Sequence, residues 1–477
     1  MFRVDSEDIT EGPLPRALVV LALPLLVQNF VQVANQVVDL FFLGRLSEAA
    51  VAGVSLAFPA VVLLFALTVY TPFVGTQVLV SQRVGAGDEA GTVSALGAGL
   101  LVAGGGGVLL GAVAFLAAPA LADLLVALQP AGERTAAVRG FAVDYLRVIA
   151  AGLVAVTLAD TVEAAFIGWG DSRAALYINL ATVGVNVVLD PLLIFGMGPF
   201  PRLEVLGAGI ALVAGAFAGL LTGVALASAG RVEGYRLGAA VRSALAFEAD
   251  EFRDLLNVGT PTAVQQAARQ LVNVLMVVVV FAAGGAAGLA AYFVGARVAG
   301  VSFVPATGLQ QAAQSIVGQN LGAGATERAR RVTWLGAAVA VGGLAVVGTL
   351  QWLFPAEIVG LLVPELDGRA FEFSVTYLRI LAYGYPAIGA AYLLEGGFNG
   401  ARRTRTSLAA TLVQFWVVRL PVAGAGAFLL GAGVEAVFWA VTVSNVLVAV
   451  GLGIYYRHAV AGGMLERAAG EATETAD

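Results

Sequence analysis

The sequence predicts an all-α polytopic membrane protein, with twelve transmembrane helices in two six-helix lobes related by pseudo-two-fold symmetry. Three observations lead to this prediction. Of the 477 residues, 59% are hydrophobic and only 12% are charged, whereas soluble domains carry about 25% charged residues. The apolar residues fall into twelve runs, and roughly 20 such residues suffice to cross a bilayer as a helix. The two halves of the chain also share a repeated residue pattern.

Short loops separate the predicted spans, apart from one charged interruption at residues 231–254. This segment divides the spans six and six, and part of it is expected to lie on the membrane surface as an amphipathic helix. The spans cover residues 14–43, 49–82, 90–118, 136–167, 174–196, 206–229, 253–283, 286–317, 332–354, 370–399, 405–430 and 433–457. The expected domains are a polar tail, a first lobe, a cytoplasmic linker, a second lobe and a polar tail, at residues 1–13, 14–230, 231–252, 253–457 and 458–477.

Arginine is distributed unevenly between the two sets of loops. With both termini placed inside, the inner loops and ends hold sixteen of the 26 basic residues, and the outer loops hold five. Short loops rich in arginine stay on the cytoplasmic side of a membrane. We therefore expect a multi-pass protein of the plasma membrane, in contact with membrane lipids and with both termini in the cytoplasm. A monomer is the expected state.

The repeat has a spacing of 237 residues at the start of each half and 232 residues further along. Six spans is an even number, so both halves have the same topology and are related by an axis along the membrane normal. Transporters with such halves bind substrate between them and expose it alternately to the two sides, so the repeat indicates a transporter. The matched pairs include Pro24 with Pro261, Gln28 with Gln265, and Glu163 with Glu395.

The first span carries an unusual set of polar residues. Gln28, Gln32, Asn35 and Asp39 are spaced by three or four residues, so they share one face of a helix. A carboxylate inside a membrane helix costs about 2.5–3.5 kcal/mol on insertion scales, which makes Asp39 a candidate functional residue. Pro24 removes one backbone hydrogen bond and usually kinks a helix, so we expect a hinge there.

The fifth span carries a second polar stripe, formed by Asn179, Asn186 and Asp190. At about 1.5 Å per residue, Asp39 lies about 6 Å and Asp190 about 9 Å from the outer end of its span. Two carboxylates close together disfavour double ionisation, so this pair can hold a proton or share a cation such as Na⁺. The alternative is that each acid is satisfied separately by contacts within the helix packing.

Other polar residues inside the spans allow two interpretations each. Asp160 and Glu163 of the fourth span are either structural, since Glu163 has a repeat partner, or in contact with substrate or ion. In the second half, a polar stripe either forms hydrogen bonds between helices or lines a cavity. This stripe, which has no acid, consists of Gln266, Arg269, Gln270 and Asn273 on the seventh span and Gln310, Gln311 and Gln314 on the eighth.

Composition argues against several classes of function. The chain has no cysteine, which excludes disulfides and thiol catalysis, and a net charge of −6 with no basic tract for nucleic acid. No cofactor is expected, and the polar, acidic N-terminal stretch is unlike a cleavable signal peptide. The run from Gly168 to Asp171 matches a short motif of intramembrane aspartyl proteases. Because Asp171 is expected in a cytoplasmic turn beside Arg173, an enzyme is not predicted.

Several motifs resemble those of the multidrug and toxic compound extrusion (MATE) transporters, over residues 14 to 457. The chain looks most like the prokaryotic branch that is similar to the DNA-damage-inducible protein F. The motifs are Pro24 with Asp39, the turn Gly168–Arg173, the run Asn186–Gly196 with its Asn-x-x-x-Asp-Pro pattern, and Gly207–Leu212.

This resemblance implies twelve helices in two lobes, and the exchange of a proton or sodium ion for an organic, often lipophilic and cationic compound. It assigns Asp39, Asn186 and Asp190 to the cation site, with Tyr145 nearby. It further implies that loading Asp39 bends the first helix at Pro24 and expels the substrate. The substrate cavity is expected to include Gln32, Asn35, Tyr145, Asn179, Glu163, Asp160, Gln270 and Asn273.

Two positions depart from the pattern of the family. Ala211-Leu212 stands where the family often has Ala-Thr, which removes a possible sodium ligand and favours protons. The acids that another branch carries in its second lobe are missing, and Met276 occupies the repeat position of Asp39. The expected function is a cation-coupled secondary antiporter. The alternatives are a lipid-linked oligosaccharide or lipid flippase of the same superfamily, which would favour an arginine-rich cavity, and a scaffold or receptor without transport.

Overall fold

A computed structural model describes residues 9–127, 136–232 and 234–474, and these residues form helices and loops without strands. Most of the predicted N-terminal tail and the last three residues lie outside the described ranges. The helices are α1 Leu14–Leu46, α2 Glu48–Thr68, α3 Tyr70–Ala86, α4 Glu89–Ala127, α5 Ala136–Gly168, α6 Ser172–Phe195, α7 Val205–Ser228, α8 Leu237–Ala246, α9 Ala249–Ser302, α10 Val304–Gly322, α11 Thr326–Leu353, α12 Pro355–Leu362, α13 Gly368–Gly400, α14 Thr404–Leu412, α15 Leu420–Gly424, α16 Gly433–Ala461 and α17 Met464–Glu474. Two π-helical segments, Val413–Arg419 and Ala425–Leu429, flank α15.

The described helices agree with the predicted twelve spans. Ten stretches are long and apolar enough to cross a membrane by length and composition; one of them joins α2 to α3, and another runs from α14 to Leu429. The longest, α9, contains Gly285, which has the positive φ of 59° that glycine adopts readily and which separates the seventh span from the eighth. The tenth predicted span is α13, a helix of 33 residues.

Both halves interrupt the second span of the repeat at a similar point. α2 gives way to α3 at Val69, and α9 gives way to α10 at Phe303. A proline follows each break, Pro72 in α3 and Pro305 in α10. Since proline has no backbone N–H and its ring clashes with the preceding turn, both prolines favour a break in the helix at these points.

The chain divides into two compact units. The first is Val27–Val264, and the second comprises residues 9–26 together with residues 265–474. The boundary within α1 falls just after Pro24, so the two units share this helix. The charged segment between the two sets of spans contains α8 and belongs to the first unit.

Small residues allow the helices of the first unit to approach closely, as is common in membranes. A Cβ atom added to Gly111 of α4 would lie 2.5 Å from the carbonyl oxygen of Ala150 in α5. A Cβ added to Gly215 of α7 would lie 2.4 Å from the carbonyl oxygen of Thr182 in α6 and 3.2 Å from Cβ of Asn186. Gly215 therefore brings α7 against the polar face of α6.

The second unit has an aromatic core. Tyr377 of α13 stacks on Phe438 of α16 with ring centroids 4.2 Å apart, and on Tyr292 of α9 with centroids 5.8 Å apart. Tyr385 is fully buried and donates a hydrogen bond to Gln351 at 2.5 Å. Offset aromatic pairs of this kind contribute both buried area and a preferred geometry, which holds α9, α13 and α16 together around the interior of this unit.

Candidate functional site

The polar stripes of α1 and α6 meet in the first unit. Asn35 Nδ2 donates a hydrogen bond to Asn186 Oδ1 at 2.8 Å and makes a longer contact of 3.4 Å with Asp39 Oδ2. Asn186 Nδ2 makes a similar contact of 3.4 Å with Asp190 Oδ1. The four side chains form one continuous network, as the helical spacing of each stripe allows.

The two carboxyl groups at the ends of this network come together. Asp39 and Asp190 lie within hydrogen-bonding distance of each other, Asp190 being buried and Asp39 half-buried. A hydrogen bond between two carboxyls requires a proton on one of them, and two adjacent carboxylates without a proton need a cation between them. This geometry supports the predicted pair over the alternative of two separately satisfied acids.

Several oxygens of the network are available to a cation. Asn35 Oδ1, Asp39 Oδ1 and Asp190 Oδ2 are buried and accept no hydrogen bond from the described residues. Buried acceptors in proteins are nearly always satisfied, so these three oxygens indicate a place for a proton or a hard cation. Among the described residues, including this network, no group of three or more histidine, aspartate or glutamate residues gathers to bind a metal ion.

Tyr145 of α5 lies close enough to both carboxyls to interact with their charges. Leu212 of α7 packs against the same apolar cluster as Tyr145. The position where the family often has threonine therefore contributes a hydrocarbon side chain to this region and no oxygen.

The remaining predicted residues of the first unit are placed differently. Asn179 is buried on α6, two turns before Asn186, and its Oδ1 accepts no hydrogen bond from the described residues. Gln32 is exposed, and it forms no hydrogen bond with any described residue. The structure thus joins Asn35 to the acid pair and leaves Gln32 outside the hydrogen-bonded network.

A second acidic cluster lies in α5. The buried Glu163 accepts a hydrogen bond of 2.5 Å from Gln28 of α1, and Asp160, one turn earlier, is close enough to interact with its charge. In the second unit, Glu395 accepts longer hydrogen bonds from Gln265 and Gln310, at 3.4 and 3.3 Å. The repeat-matched residues therefore make the same glutamine–glutamate contact twice, which favours the structural interpretation of Glu163.

The second unit contains a cavity of about 290 Å³. Of the predicted stripe on the seventh span, Asn273 and Arg269 line this cavity, whereas Gln270 is half-buried and is not part of its wall. The cavity interpretation is therefore supported for part of the stripe. The polar side chains around the cavity are Arg269, Asn273, Glu395, Gln414, Arg419 and Asn445.

Sequence reasoning assigned no role to Arg419, which the structure places in the cavity wall and buries almost completely. Its guanidinium lies over the Phe415 ring at 4.1 Å, and Arg269 approaches the same ring at 5.6 Å. The signal was available in the sequence, since an arginine inside an apolar span is costly and marks a functional position by default.

Asp171 lies in the turn before α6, as predicted. Its Oδ1 caps the helix by accepting a hydrogen bond from the Ala174 amide at 3.0 Å, and both of its oxygens accept hydrogen bonds from Arg231 at 2.6 and 3.1 Å. These are the contacts of a helix cap, so the match to a protease motif at this position has a structural explanation.

A family model described as MatE matches residues 24–192 and 261–424. The chain belongs to this family. The two matched segments correspond to the two halves of the repeat. Members of the family are transporters, which agrees with the helical, multi-pass fold.

Curated relatives match nearly the whole chain. The probable multidrug resistance protein NorM of Thermotoga maritima is 27% identical over 420 residues, covering 88% of this chain and 86% of the relative. The FAD transporter of Shewanella oneidensis is 26% identical over 462 residues, covering 95% of this chain and 96% of the relative. Among solved structures, a crystal structure of MATE in complex with MaL6 superposes with a TM-score of 0.86 at 21% identity, covering 98% of this chain and 100% of that one. This MATE transporter is thus similar in fold to solved members of its family.

Proposed function

We propose that this MATE transporter is a secondary antiporter, which exchanges a proton or sodium ion for an organic compound by alternating access. The observation that carries the proposal is the contact between the Asp39 and Asp190 carboxyls inside two membrane helices. Such acids are expensive to retain in a bilayer, and intramembrane carboxylates mark ion and proton pathways. The expected cargo is a lipophilic organic cation, which enters from the cytoplasm and leaves on the outside.

The acid pair provides coupling because its charge depends on the ion that it holds. With one shared proton the pair carries a single negative charge, and with a second proton it carries none. A change of charge in an apolar setting changes the contacts that Asn35 and Asn186 make with the carboxyls. These contacts in turn change the relative energies of two arrangements of α1. We propose that α1 bends at Pro24 when Asp39 is loaded, since the missing backbone bond makes this turn the easiest place to bend.

The ion is proposed to be a proton. Leu212 supplies no oxygen ligand beside Tyr145, and the network offers two carboxyl and two amide side chains to an ion. Sodium prefers several oxygen ligands, as other hard cations do, so the loss of a hydroxyl at this position weakens a metal site more than a proton site.

The proposed setting follows from the arginine distribution. We place the protein in the plasma membrane with both termini in the cytoplasm. Its partners are then membrane lipids, the coupling ion and the organic substrate, and it works as a monomer.

A flippase for lipid-linked oligosaccharide or lipid remains the alternative. The two arginines in the cavity of the second unit favour this alternative, because an anionic headgroup requires such residues. The relative from Shewanella oneidensis, which is called an FAD transporter, indicates that anionic organic solutes belong to the candidate substrates as well.

The decisive test is efflux of a fluorescent lipophilic cation, ethidium, from proteoliposomes with one imposed gradient at a time. We expect a proton gradient to drive efflux and a sodium gradient to have little effect. Asp39→Asn should slow the gradient-driven part by roughly 100-fold, because the amide cannot load a second proton. Asp123→Asn, at an exposed ion pair with Arg139, is the matched control and should keep the wild-type rate.

The outcomes separate the alternatives. Efflux driven only by sodium would overturn the proton assignment and keep the antiporter. Absence of any gradient-driven efflux of ethidium in a folded protein would contradict the lipophilic-cation proposal and favour the flippase. An unchanged rate in Asp39→Asn would remove the acid pair from the coupling mechanism.

A further inference from the structure

The cavity of the second unit is built around an irregular stretch of helix. Gln414, Phe415 and Arg419 all reach the cavity from the π-helical segment Val413–Arg419. π-Helical turns are rare and frequently occur at functional sites. Pro421 follows in α15 and cannot supply a backbone N–H, so the regular bonding pattern is interrupted where Arg419 is presented.

The charges in this cavity do not balance. Its wall contains the guanidinium groups of Arg269 and Arg419 and the carboxylate of Glu395. Arg269 interacts electrostatically with Glu395. Arg419 instead donates from Nε to Ser444 Oγ at 2.9 Å and from Nη2 to Asn445 Oδ1 at 2.6 Å, and both acceptors are neutral.

Arg419 is buried, with only 7% of its surface exposed. Nevertheless, no carboxylate of the described residues forms an ion pair with it. A guanidinium has five N–H donors, and the two hydrogen bonds leave others to be satisfied. Burying a charged group without an opposite charge is costly, so native proteins keep such groups where a ligand or function compensates. The cavity therefore carries an excess positive charge whose donors border an open space.

Aromatic rings form much of the remaining wall. Phe415 lies under both guanidinium groups, and Tyr292, Tyr377 and Phe303 line the cavity beside it. Ligand sites are often of this kind, with apolar and aromatic walls and a few polar groups that fix the orientation. The volume of about 290 Å³ is close to the lower end of the range of about 300–1,000 Å³ for such sites.

We propose that the cavity of the second unit is a binding site for a phosphate or carboxylate group attached to an aromatic or lipid-like body, with Arg419 as the ligand of the anion. The anionic oxygens accept hydrogen bonds from the guanidinium, and the apolar body lies against Phe415 and the tyrosines. The role of this site in export rests on the proposed antiport, whereas binding itself does not. The anion comes either from a free solute or from an anionic lipid headgroup.

The test compares flavin mononucleotide with riboflavin, which differ by one phosphate. Binding of each is measured by titration calorimetry at 0.15 M salt, where exposed charges are largely screened beyond about 8 Å. The full chain is held in nanodiscs of phosphatidylcholine. Charge-assisted hydrogen bonds are about twice as strong as neutral ones, so we expect flavin mononucleotide to bind about tenfold more tightly or better.

Variants then assign the preference to one side chain. Arg419→Gln should reduce the affinity for flavin mononucleotide to that for riboflavin and leave riboflavin unchanged. Arg405→Gln is the matched control, since Arg405 is exposed at the start of the same predicted span, and it should keep the preference. Equal affinities in the wild type, or a preference that survives in Arg419→Gln, would overturn the proposal. If Arg419→Gln does not fold, the two flavin affinities of the wild type still test whether the cavity prefers the anionic ligand.

Nanodiscs that contain phosphatidylglycerol distinguish the two sources of the anion. Loss of flavin mononucleotide binding in these nanodiscs identifies a lipid phosphate as the occupant, and unchanged binding identifies a free solute. The proposal and the antiport are also separable. A protein that shows the preference without gradient-driven efflux refutes antiport alone, and one that antiports with equal affinities refutes the anion site alone.

Discussion

The two units present opposite charges, although the two halves of the chain share a repeated sequence pattern. In the first unit, Asp190 directly precedes Pro191, and its carboxyl meets Asp39. In the second unit, Arg419 stands two residues before Pro421 and faces a cavity with neutral partners. Within this shared sequence pattern, a few side chains thus decide which sign of charge each unit presents.

The difference extends to the partner helix. Met276 occupies the repeat position of Asp39, and it is fully buried in the apolar core of the second unit. A methionine fills irregular space there without any cost of burying a charge. The position that matches Asp39 therefore carries no acid in the second unit, and the proposed coupling to a cation rests on the acid pair of the first unit.

The largest expected effect comes from neutralising the acid pair. Asp39→Asn and Asp190→Asn should each slow proton-driven efflux by roughly 100-fold. Typical coupling free energies correspond to factors of about 5 to 150, so this value is near their upper end. The double variant should be no slower than either single variant, because both acids serve one shared ion and residues that act as a unit are not additive. The measurement is ethidium efflux from proteoliposomes under an imposed pH gradient.

Two losses that multiply in the double variant would contradict this expectation. They would indicate that the acids are satisfied separately and contribute to transport by independent routes. Introducing an acid in the second unit, as Met276→Asp, should not restore efflux to Asp39→Asn, because Met276 is fully buried in a cluster of apolar residues.

A smaller effect is expected from placing a carboxylate next to Arg419. Asn445 accepts hydrogen bonds through Oδ1 from both Gln414 and Arg419, at 2.7 and 2.6 Å, so Asn445→Asp keeps both bonds and adds a charge. The charge should neutralise Arg419 and remove the roughly tenfold preference for flavin mononucleotide over riboflavin. It should also raise the free energy of unfolding by about 1 kcal/mol, since hydrogen bonds to charged groups are stronger.

The same substitution at an exposed position, Asn257→Asp, should change neither quantity. Calorimetric titration of both flavins and thermal unfolding of the same samples provide the two readouts. A retained preference in Asn445→Asp would show that the guanidinium of Arg419 does not hold the phosphate.

The sequence was most informative where the polar residues follow helical spacing. The stripes of α1 and α6 predicted which residues share a face, and the structure brings Asn35, Asp39, Asn186 and Asp190 into one network. The apolar runs predicted the twelve spans. The repeat matched Gln28 with Gln265 and Glu163 with Glu395, but only the structure shows that each glutamine contacts the glutamate of its own half. These features depend on local periodicity, which a single sequence records directly.

Features that depend on irregular backbone were not predictable. The π-helical segment that carries Arg419 follows no period that a sequence pattern can reveal. Gln270 and Asn273 lie within one helical turn of each other, yet only Asn273 lines the cavity, because the neighbouring helices decide where open space remains. The sharing of α1 between the two units likewise results from tertiary packing and has no local signal.

The repeated glutamine–glutamate contact provides a smaller test of the comparison. Glu163 accepts a bond of 2.5 Å from Gln28, whereas Glu395 has Gln265 and Gln310 at longer distances and Arg269 nearby. Gln265 also donates to Thr411 at 2.8 Å, but Glu395 keeps Gln310 and Arg269 when Gln265 is removed. Gln28→Ala should therefore lower the free energy of unfolding by about 1.5–3 kcal/mol and Gln265→Ala by about 0.5–1.5 kcal/mol. Thermal unfolding of both variants checks the order, and equal losses would mean that the two contacts are energetically equivalent.

The smallest effect on efflux and stability is expected from Asp171→Asn. This is the same chemical change as Asp39→Asn, but at a helix cap in a turn. Asparagine caps a helix about as well as aspartate, and a half-buried ion pair with Arg231 contributes about 0–1 kcal/mol. Asp171→Asn should therefore lower stability by less than about 1 kcal/mol and leave ethidium efflux unchanged.

The guanidinium of Arg231, which pairs with Asp171, stays protonated at neutral pH. The hydrogen bond from Arg231 to Asp171 raises the pKa of the guanidinium above its ordinary value, which is itself far above neutral pH. The stabilisation is complete below that value and is lost only as the pH rises through the raised pKa. Any change in the efflux rate of the wild type between pH 6 and 8 should therefore also occur in Asp171→Asn. The same change should be absent in Asp39→Asn. A loss of efflux in Asp171→Asn would place a functional role at the cytoplasmic turn and weaken the assignment of coupling to the acid pair.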